Sequence, residues 1–376
     1  MEDPTTEHVL FGVPHSLYTG VARCYLRTQG IPYRELPTLH PRFAQEIVPA
    51  IGRSIVPVLV TPDGQIVQDS VDIIDHFEAG GVPYPAYPEG PLQRVLAILV
   101  QYYGSQGLRR HAMHYRWSFL DDQETFLRDA FATGAGADLA DRIMARMHSY
   151  LPPLGVTEAT IPAIEESFST LLAILDAHFA EHPYLFGGQP SVADYGMIGP
   201  LFAHLGRDPV PAGIMKRRAP RVFRWVERMT APGLDVPEFA DYGAGFASDD
   251  AVPPTLEPLF AHMADELFPE LTDKLAFLDA HVAEVNPHDG QPVADKPHRR
   301  QVGQVETAFR GYPVTLGVEP YMLYMLRQAD RVVAGLGEAE QRRVREALEH
   351  YGLDEALPGG RGYSVDRRNH VEVWEV

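Results

Sequence analysis

Apolar positions follow one period in the first eighty residues and another beyond them. Val9-Leu10-Phe11-Gly12-Val13 is an unbroken apolar run that predicts a short buried strand. Pro14-His15-Ser16 breaks it. From Thr19 to Gln29, Val21, Ala22, Tyr25 and Leu26 fall at helical spacing, and Gly30 is placed to close the helix. Tyr33 to Leu36 predicts a weaker second strand, and Pro37 to Ser54 is irregular apart from a short helix over Phe43 to Val48. Ile55 to Val60 is rich in β-branched residues, Thr61-Pro62-Asp63-Gly64 is a turn sequence, and Gln65-Ile66-Val67 returns as the hairpin partner. Val71 to Phe77 is helical and Gly80-Gly81 ends it, so the order is βαβ followed by ββα.

Gly81 to Pro91 is rich in Pro, Gly and Tyr and reads as a linker. From Leu92 to His204 the period is helical: Leu92 to Tyr103, Phe126 to Tyr150, and Ile164 to Phe179 predict a helical bundle. Gly206 to Ala219 reads as a connection, and Pro220 to Met229 as one more helix. Ala231 to Pro254 is a second breaker-rich boundary. Beyond it, Leu256 to Val285, Glu319 to Gly335 and Glu338 to Tyr351 predict helices, with a polar loop at Asn286 to Pro297 and a strand-like alternation over His370 to Trp374. The expected units are therefore residues 1–81, 92–230 and 231–376. They form an α/β domain, an all-α bundle domain and a mostly helical C-terminal extension, with no internal repeat.

Composition narrows the function classes. With 376 residues, 45% hydrophobic and 22% charged, the chain can bury more than one core. A net charge of -19 argues against a nucleic-acid surface, since phosphate binding needs clustered basic residues; Arg217-Arg218 and Arg367-Arg368 are only local clusters. The single cysteine, Cys24, allows no intrachain disulfide and no cysteine metal site, and fits a reducing cytoplasm. Met1 to Glu7 is polar and acidic, unlike a secretory signal, and no apolar run approaches the roughly 20 residues of a membrane span.

Four motifs fall in a familiar order: Ser16 with Arg23, Val56-Pro57, Asp69-Ser70, and Gly187-Gly188-Gln189-Pro190-Ser191-Val192-Ala193-Asp194. In their order and spacing the chain, through about Met229, resembles a glutathione S-transferase, a thioredoxin-like domain followed by a helical domain. The resemblance does not cover the region from about Ala231 onward. It implies that Val56-Pro57 is a cis-proline turn whose Val56 backbone pairs with the cysteinyl backbone of glutathione. It places Ser70 on the γ-glutamyl carboxylate and Asp69 facing its ammonium group, at a helix N-terminus that also favours anions; both residues equally serve as caps. Asp69 stands where the family more often has Glu or Gln. Arg53 is a candidate for the glycyl carboxylate or an ordinary loop arginine.

A free thiol titrates at about 8.5, so a hydroxyl donor at a helix N-terminus would raise its reactivity by stabilising the thiolate. Ser16 takes the family's thiol-activating position, with Tyr18 second and Thr19 third as hydroxyl donors. Tyr102, Arg110, His111, His114 and Tyr115 lie where the electrophile pocket would form. His111 and His114 are one helical turn apart, but no third metal ligand is evident. Ser191 and Asp194 fit a capping box, a folding signal. Cys24, inside the first helix, reads as a packing residue. A glutaredoxin-like role would want cysteine at position 16, where serine stands.

The implied activity is attack of glutathione, as co-substrate and without a metal, on an electrophilic, partly apolar small molecule, in a protein that could be a homodimer. The alternative is a non-catalytic binding or scaffold protein, in which the long extension covers the pocket or forms a partner surface.

Overall fold

A computed structural model describes residues 7–296 and 299–376. Residues 1–6, on which the absence of a secretory signal was read, and Pro297, the end of the expected polar loop, lie outside the described residues.

The first domain is built on a four-stranded sheet. β1 (His8–Phe11) is followed by α1 (Leu17–Thr28), β2 (Tyr33–Leu36), the short α2 (Val48–Ile51), β3 (Val58–Val60), β4 (Ile66–Gln68) and α3 (Ser70–Glu78). Strand order is β2-β1-β3-β4, with β1 parallel to β2 and antiparallel to β3. Successive side chains of a strand face opposite ways. Val9 and Phe11 accordingly pack with Phe43, Ile47, Ile51 and Val58 on one face, while Leu10 joins Val21, Leu26 and Ile74 from α1 and α3 on the other. An apolar run without alternation is what a strand covered on both faces requires.

The second domain contains α4 (Pro91–Tyr102), α5 (Arg109–Trp117), α6 (Leu120–Ala135), α7 (Ala137–His148), α8 (Ile161–His178), α9 (Val192–Ala203), α10 (Pro209–Arg218) and α11 (Pro220–Thr230). The run expected from Phe126 to Tyr150 is two helices, divided at Gly136, whose φ of 85° only glycine adopts readily. The connection expected over Gly206 to Ala219 is largely helix, because Pro209 and Pro211 sit in its first turn, where no intrahelical N–H is needed. The capping box opens α9. Asp194 accepts from Ser191 N–H and Oγ–H, both at 2.9 Å, from Leu185 N–H at 3.0 Å and from Trp225 Nε1–H at 3.2 Å.

The extension is not purely helical. It comprises α12 (Glu257–Val285), a hairpin of β5 (Gly303–Phe309) and β6 (Tyr312–Val318), α13 (Tyr321–Ala334), α14 (Glu338–His350), and a second hairpin of β7 (Ser364–Arg368) and β8 (Val371–Glu375). Both hairpins turn on two residues of positive φ, Arg310-Gly311 and Asn369-His370, the geometry that matches strand twist. One contiguous core runs through all three parts, from Leu10 and Val21 through Leu96 and Tyr195 to Phe260, Leu271, Tyr321 and Trp374. The extension is thus packed onto the two-domain body.

Candidate functional site

The start of α1 is fixed by Ser16. Its backbone is extended, and its Oγ accepts the Thr19 N–H at 3.2 Å, meeting one of the unpaired donors of the first turn. With a lone pair used by the helix, the hydroxyl proton remains available to a group in front of it. Ser16 opens onto a cavity of about 930 Å³ between the sheet domain and the bundle. Tyr18 and Val56 also line it, and the Val56–Pro57 peptide is cis. The Tyr18 hydroxyl donates to Ser105 O at 3.2 Å, so its proton is already engaged. Thr19 is fully buried, its hydroxyl without a hydrogen-bond partner among the described residues, and it packs under Gly12, where a Cβ would come within 2.2 Å of Thr19 Cγ2.

The walls are mostly apolar. α5 contributes Arg109, Ala112, Met113 and Arg116, spaced i, i+3, i+4, i+7, with Trp117 beside them. Phe131 and Ala135 come from α6, and Ile143 and Met147 from α7. The extension closes the far side with Arg299, Arg300, Gln301 and Glu319. Burial, with Arg116 and Arg207 nearby, pushes His15 down to about 3, so this cavity-lining ring is neutral against Phe131. Arg116 is held by Asp208 (2.7 Å), His15 O and Ala203 O and frames the wall. Although burial works to raise Glu319, Arg109 and Arg300 hold its carboxyl below the usual range.

None of Tyr102, Arg110, His111, His114 and Tyr115 lines this cavity. They occupy the other faces of α4 and α5 and are buried in the bundle. Arg110 donates to Leu154 O and to Glu270, each at 2.9 Å. His111 Nε2 meets Ser167 Oγ at 2.7 Å, in a network with Glu266 of α12, and burial lowers it to about 4. His114 bridges Ser118 and Glu165, and Tyr115 stacks on Phe119. Among the described residues no cluster of three or more His, Cys, Asp and Glu side chains could hold a metal. Cys24 is buried, its thiol pushed up to about 12 by desolvation.

The other end of the cleft is filled by the protein itself. Asp69 caps α3, accepting Val71 N–H at 3.1 Å, in a backbone conformation (φ 85°, ψ 144°) that costs about 1–3 kcal/mol and persists only where surroundings hold it. Arg367 of β7 donates to Asp69 Oδ2 at 3.0 Å and to Asp72 Oδ2 at 2.6 Å. Arg53, expected near a glycyl carboxylate, donates to both carboxylate oxygens of Glu372 of β8 (3.0 and 3.2 Å) and to His370 O (3.0 Å). Ser70 is buried at 4% exposure. Burial works to raise Glu372, but Arg53 and Arg367 bring it down to about 2; burial lifts Asp72 to about 6 despite Arg367.

The structure therefore brings Ser16, Tyr18 and Val56 together at the cavity, and groups Asp69 and Arg53 around the hairpin instead. The helical spacing of Arg109, Ala112, Met113 and Arg116 is the signal that could have found the cavity face of α5. Arg367, noted only as part of a local basic cluster, and Glu372, within the strand-like alternation, carried no signal of their pairing with Asp69 and Arg53.

Comparison with known proteins gives the same division. Residues 10–80 match the glutathione S-transferase N-terminal domain family and residues 158–228 the C-terminal domain family. No curated protein matches the chain. Solved structures similar to it include a glutathione S-transferase from Xanthobacter autotrophicus Py2 (20% identity, 61% of this chain and 96% of that one, TM-score 0.37). Others are the glutathione transferase GSTFuA3 from Phanerochaete chrysosporium (15%, 61% and 99%, 0.43) and FzlA from C. crescentus (18%, 64% and 95%, 0.39). No helix among the described residues is long and apolar enough to cross a membrane. The segments 10–80 and 158–228 thus carry the N-terminal and C-terminal domains of the glutathione S-transferase superfamily, and no family model matches the region beyond residue 230.

Proposed function

We propose that the chain is a glutathione transferase-like enzyme in which Ser16 stabilises a peptide thiolate that attacks an apolar electrophile. The observation that carries this reading is the cavity in front of Ser16, whose hydroxyl is oriented by the Thr19 N–H and faces largely apolar walls. A hydroxyl donor and the positive end of α1 both favour sulfur anion over thiol. The thiol proton leaves to solvent. The sulfur lone pair forms the S–C bond, and the displaced pair departs with the leaving group or, for an activated double bond, comes to rest on the acceptor and is protonated by water. Val56 would align the cysteinyl backbone, and Met113, Trp117, Phe131 and Ile143 would hold the electrophile. A cytoplasmic location suits a single-cysteine chain of this family.

Ser16→Ala tests it. Loss of one such donor is worth about 10²–10³-fold in rate, with a matching upward shift of the bound thiol's pKa. An unchanged rate and pKa would remove Ser16 from the chemistry and make Tyr18→Phe the next variant.

A second reading, a non-catalytic binding protein, is favoured by the hairpin's occupation of Asp69 and Arg53. Retention on immobilised glutathione without turnover of an electrophile panel would select it.

A further inference from the structure

β7 and β8 pair so that Arg367 stands directly across from Glu372, one cation and one anion side by side on a two-stranded arm. The two side chains also bond each other, Arg367 to Glu372 Oε1 at 3.2 Å. Each then reaches a different charge of the sheet domain. Arg367 meets Asp69 and Asp72 at the start of α3, and Glu372 meets Arg53 ahead of β3. Asp69 is where an incoming ammonium would be received, and Arg53 where a carboxylate would be. The hairpin offers the site a cation and an anion of the signs a γ-glutamyl thiol peptide would bring.

The hold on the cation is built in depth. Arg367 lies over the Tyr324 ring at 4.5 Å and the Tyr321 ring at 5.7 Å, so its guanidinium is sandwiched between α13 and α3. The Tyr324 hydroxyl donates to Asp72, Gln328 donates to Asp75 at 2.7 Å, and Arg327 pairs with Asp366 on the hairpin. A buried ionic network is a weak source of stability, because desolvation offsets most of the attraction. Its groups are charges that can be exchanged for those of a ligand at similar free energy, whereas an apolar plug would have no such exchange.

We propose that the β7–β8 hairpin is a tethered occupant of the peptide-binding charges, Arg367 on Asp69 and Glu372 on Arg53, which a zwitterionic thiol peptide must displace to enter. The sulfur end of the cleft stays open while the charges read for the glutamyl ammonium and the glycyl carboxylate are covered, so binding of the peptide and release of the C-terminal arm are one event. This rests on the reading of Asp69 and Arg53 as the groups that receive glutathione.

The test is calorimetric titration of glutathione into the full chain and three variants. Arg367→Met removes the competing cation and keeps the aliphatic stem; it is expected to bind glutathione about tenfold more tightly. Glu372→Gln gains less, and Arg367→Lys, which keeps the charge, binds like the parent. Should Arg367→Met not fold, hydrogen–deuterium exchange of the parent chain reads the same event: saturating glutathione strips protection from 364–375 and leaves 303–318 unchanged. No gain in Arg367→Met, unaltered hairpin protection at saturation, or no glutathione binding by any of the four proteins overturns the proposal. Tighter binding without conjugation by any of them upholds it and sinks the enzymatic reading instead.

Discussion

The two ends of the interdomain cleft are built on opposite principles. At the Ser16 end, one hydroxyl is capped onto a helix and faces a cavity of about 930 Å³ whose walls are largely apolar, with Arg109, Arg116, Arg299, Arg300 and Glu319 among them. At the Asp69 end, five charged side chains from positions as far apart as Arg53 and Glu372 interlock and leave little exposed surface. The first end has free volume and an unspent proton, which are what a reaction needs. The second has satisfied charges, which are what a closed interface needs. On the proposed reading, the difference teaches that a family framework can keep its chemical end while a chain extension takes over its recognition end.

If that contrast is real, substitutions at the closed end should act on stability and substitutions at the open end on rate. The largest effect is expected from Arg53→Ala. Its side chain is 1% exposed and its partner Glu372 8%. Removing one member of a buried pair typically costs about 3–5 kcal/mol; Glu372 keeps its bond from Arg367 but loses both bonds from Arg53, so the loss is expected towards the lower end of that range. Chemical denaturation should register that loss. A change comparable to the capping loss expected for Ser16→Ala, about 0.5–2 kcal/mol, would erase the distinction between the two ends.

How far the sequence foretold this arrangement follows the same line. The open end is made of local signals: the apolar run Val9 to Phe11, the break at Pro14-His15-Ser16, and Gly30, found at a φ of 66° after α1. These are legible because a cap, a turn or a strand depends on neighbours in the chain. The closed end depends on Arg367 meeting Asp69 across 298 residues, and no local pattern encodes that pairing. The strand-like alternation over His370 to Trp374 is found as β8, but its partner β7 and the whole β5–β6 hairpin carried less signal, because Arg310-Gly311 and Asn369-His370 are less marked turn pairs than Asn-Gly, although in each both residues adopt positive φ. On α5 the helix was foreseen but its cavity face was not. His111 and His114 look chemically capable, yet the face that meets the cleft is set by Arg109, Ala112, Met113 and Arg116.

Titration sharpens the comparison by splitting the closed end into two halves of opposite sign. Asp72 is raised by burial to about 6, above the ordinary carboxylate value it regains on unfolding. The folded chain therefore binds its proton first, and this group adds stability as pH falls from about 6 towards 4, by at most about 1.4 kcal/mol per pH unit. Glu372 is held down to about 2 by Arg53 and Arg367 against its burial, so its contribution is complete above about 4.5 and is lost as pH falls from there to about 2. Denaturation midpoints of Asp72→Asn should lose the gain between pH 6 and 4 while keeping the acid loss, and those of Glu372→Gln should do the reverse. A common response of both variants would mean that the cluster titrates as one unit.

The smallest effect is expected at the open end, one turn away from the proposed chemistry. Thr19 lends its N–H to Ser16 while its own hydroxyl is buried without a hydrogen-bond partner among the described residues. Thr19→Val keeps the branched shape and the N–H and removes only that hydroxyl. Replacing an unsatisfied buried group by an apolar one of the same shape is close to neutral or stabilising by up to about 1 kcal/mol. The variant should therefore melt at the same temperature or slightly higher, with its conjugation rate unchanged. A rate loss approaching that of Ser16→Ala would transfer the sulfur-facing role from Ser16 to Thr19. It would also require the end of α1 to rotate when substrate binds, since in this structure the Thr19 hydroxyl lies beneath Gly12 and off the cavity.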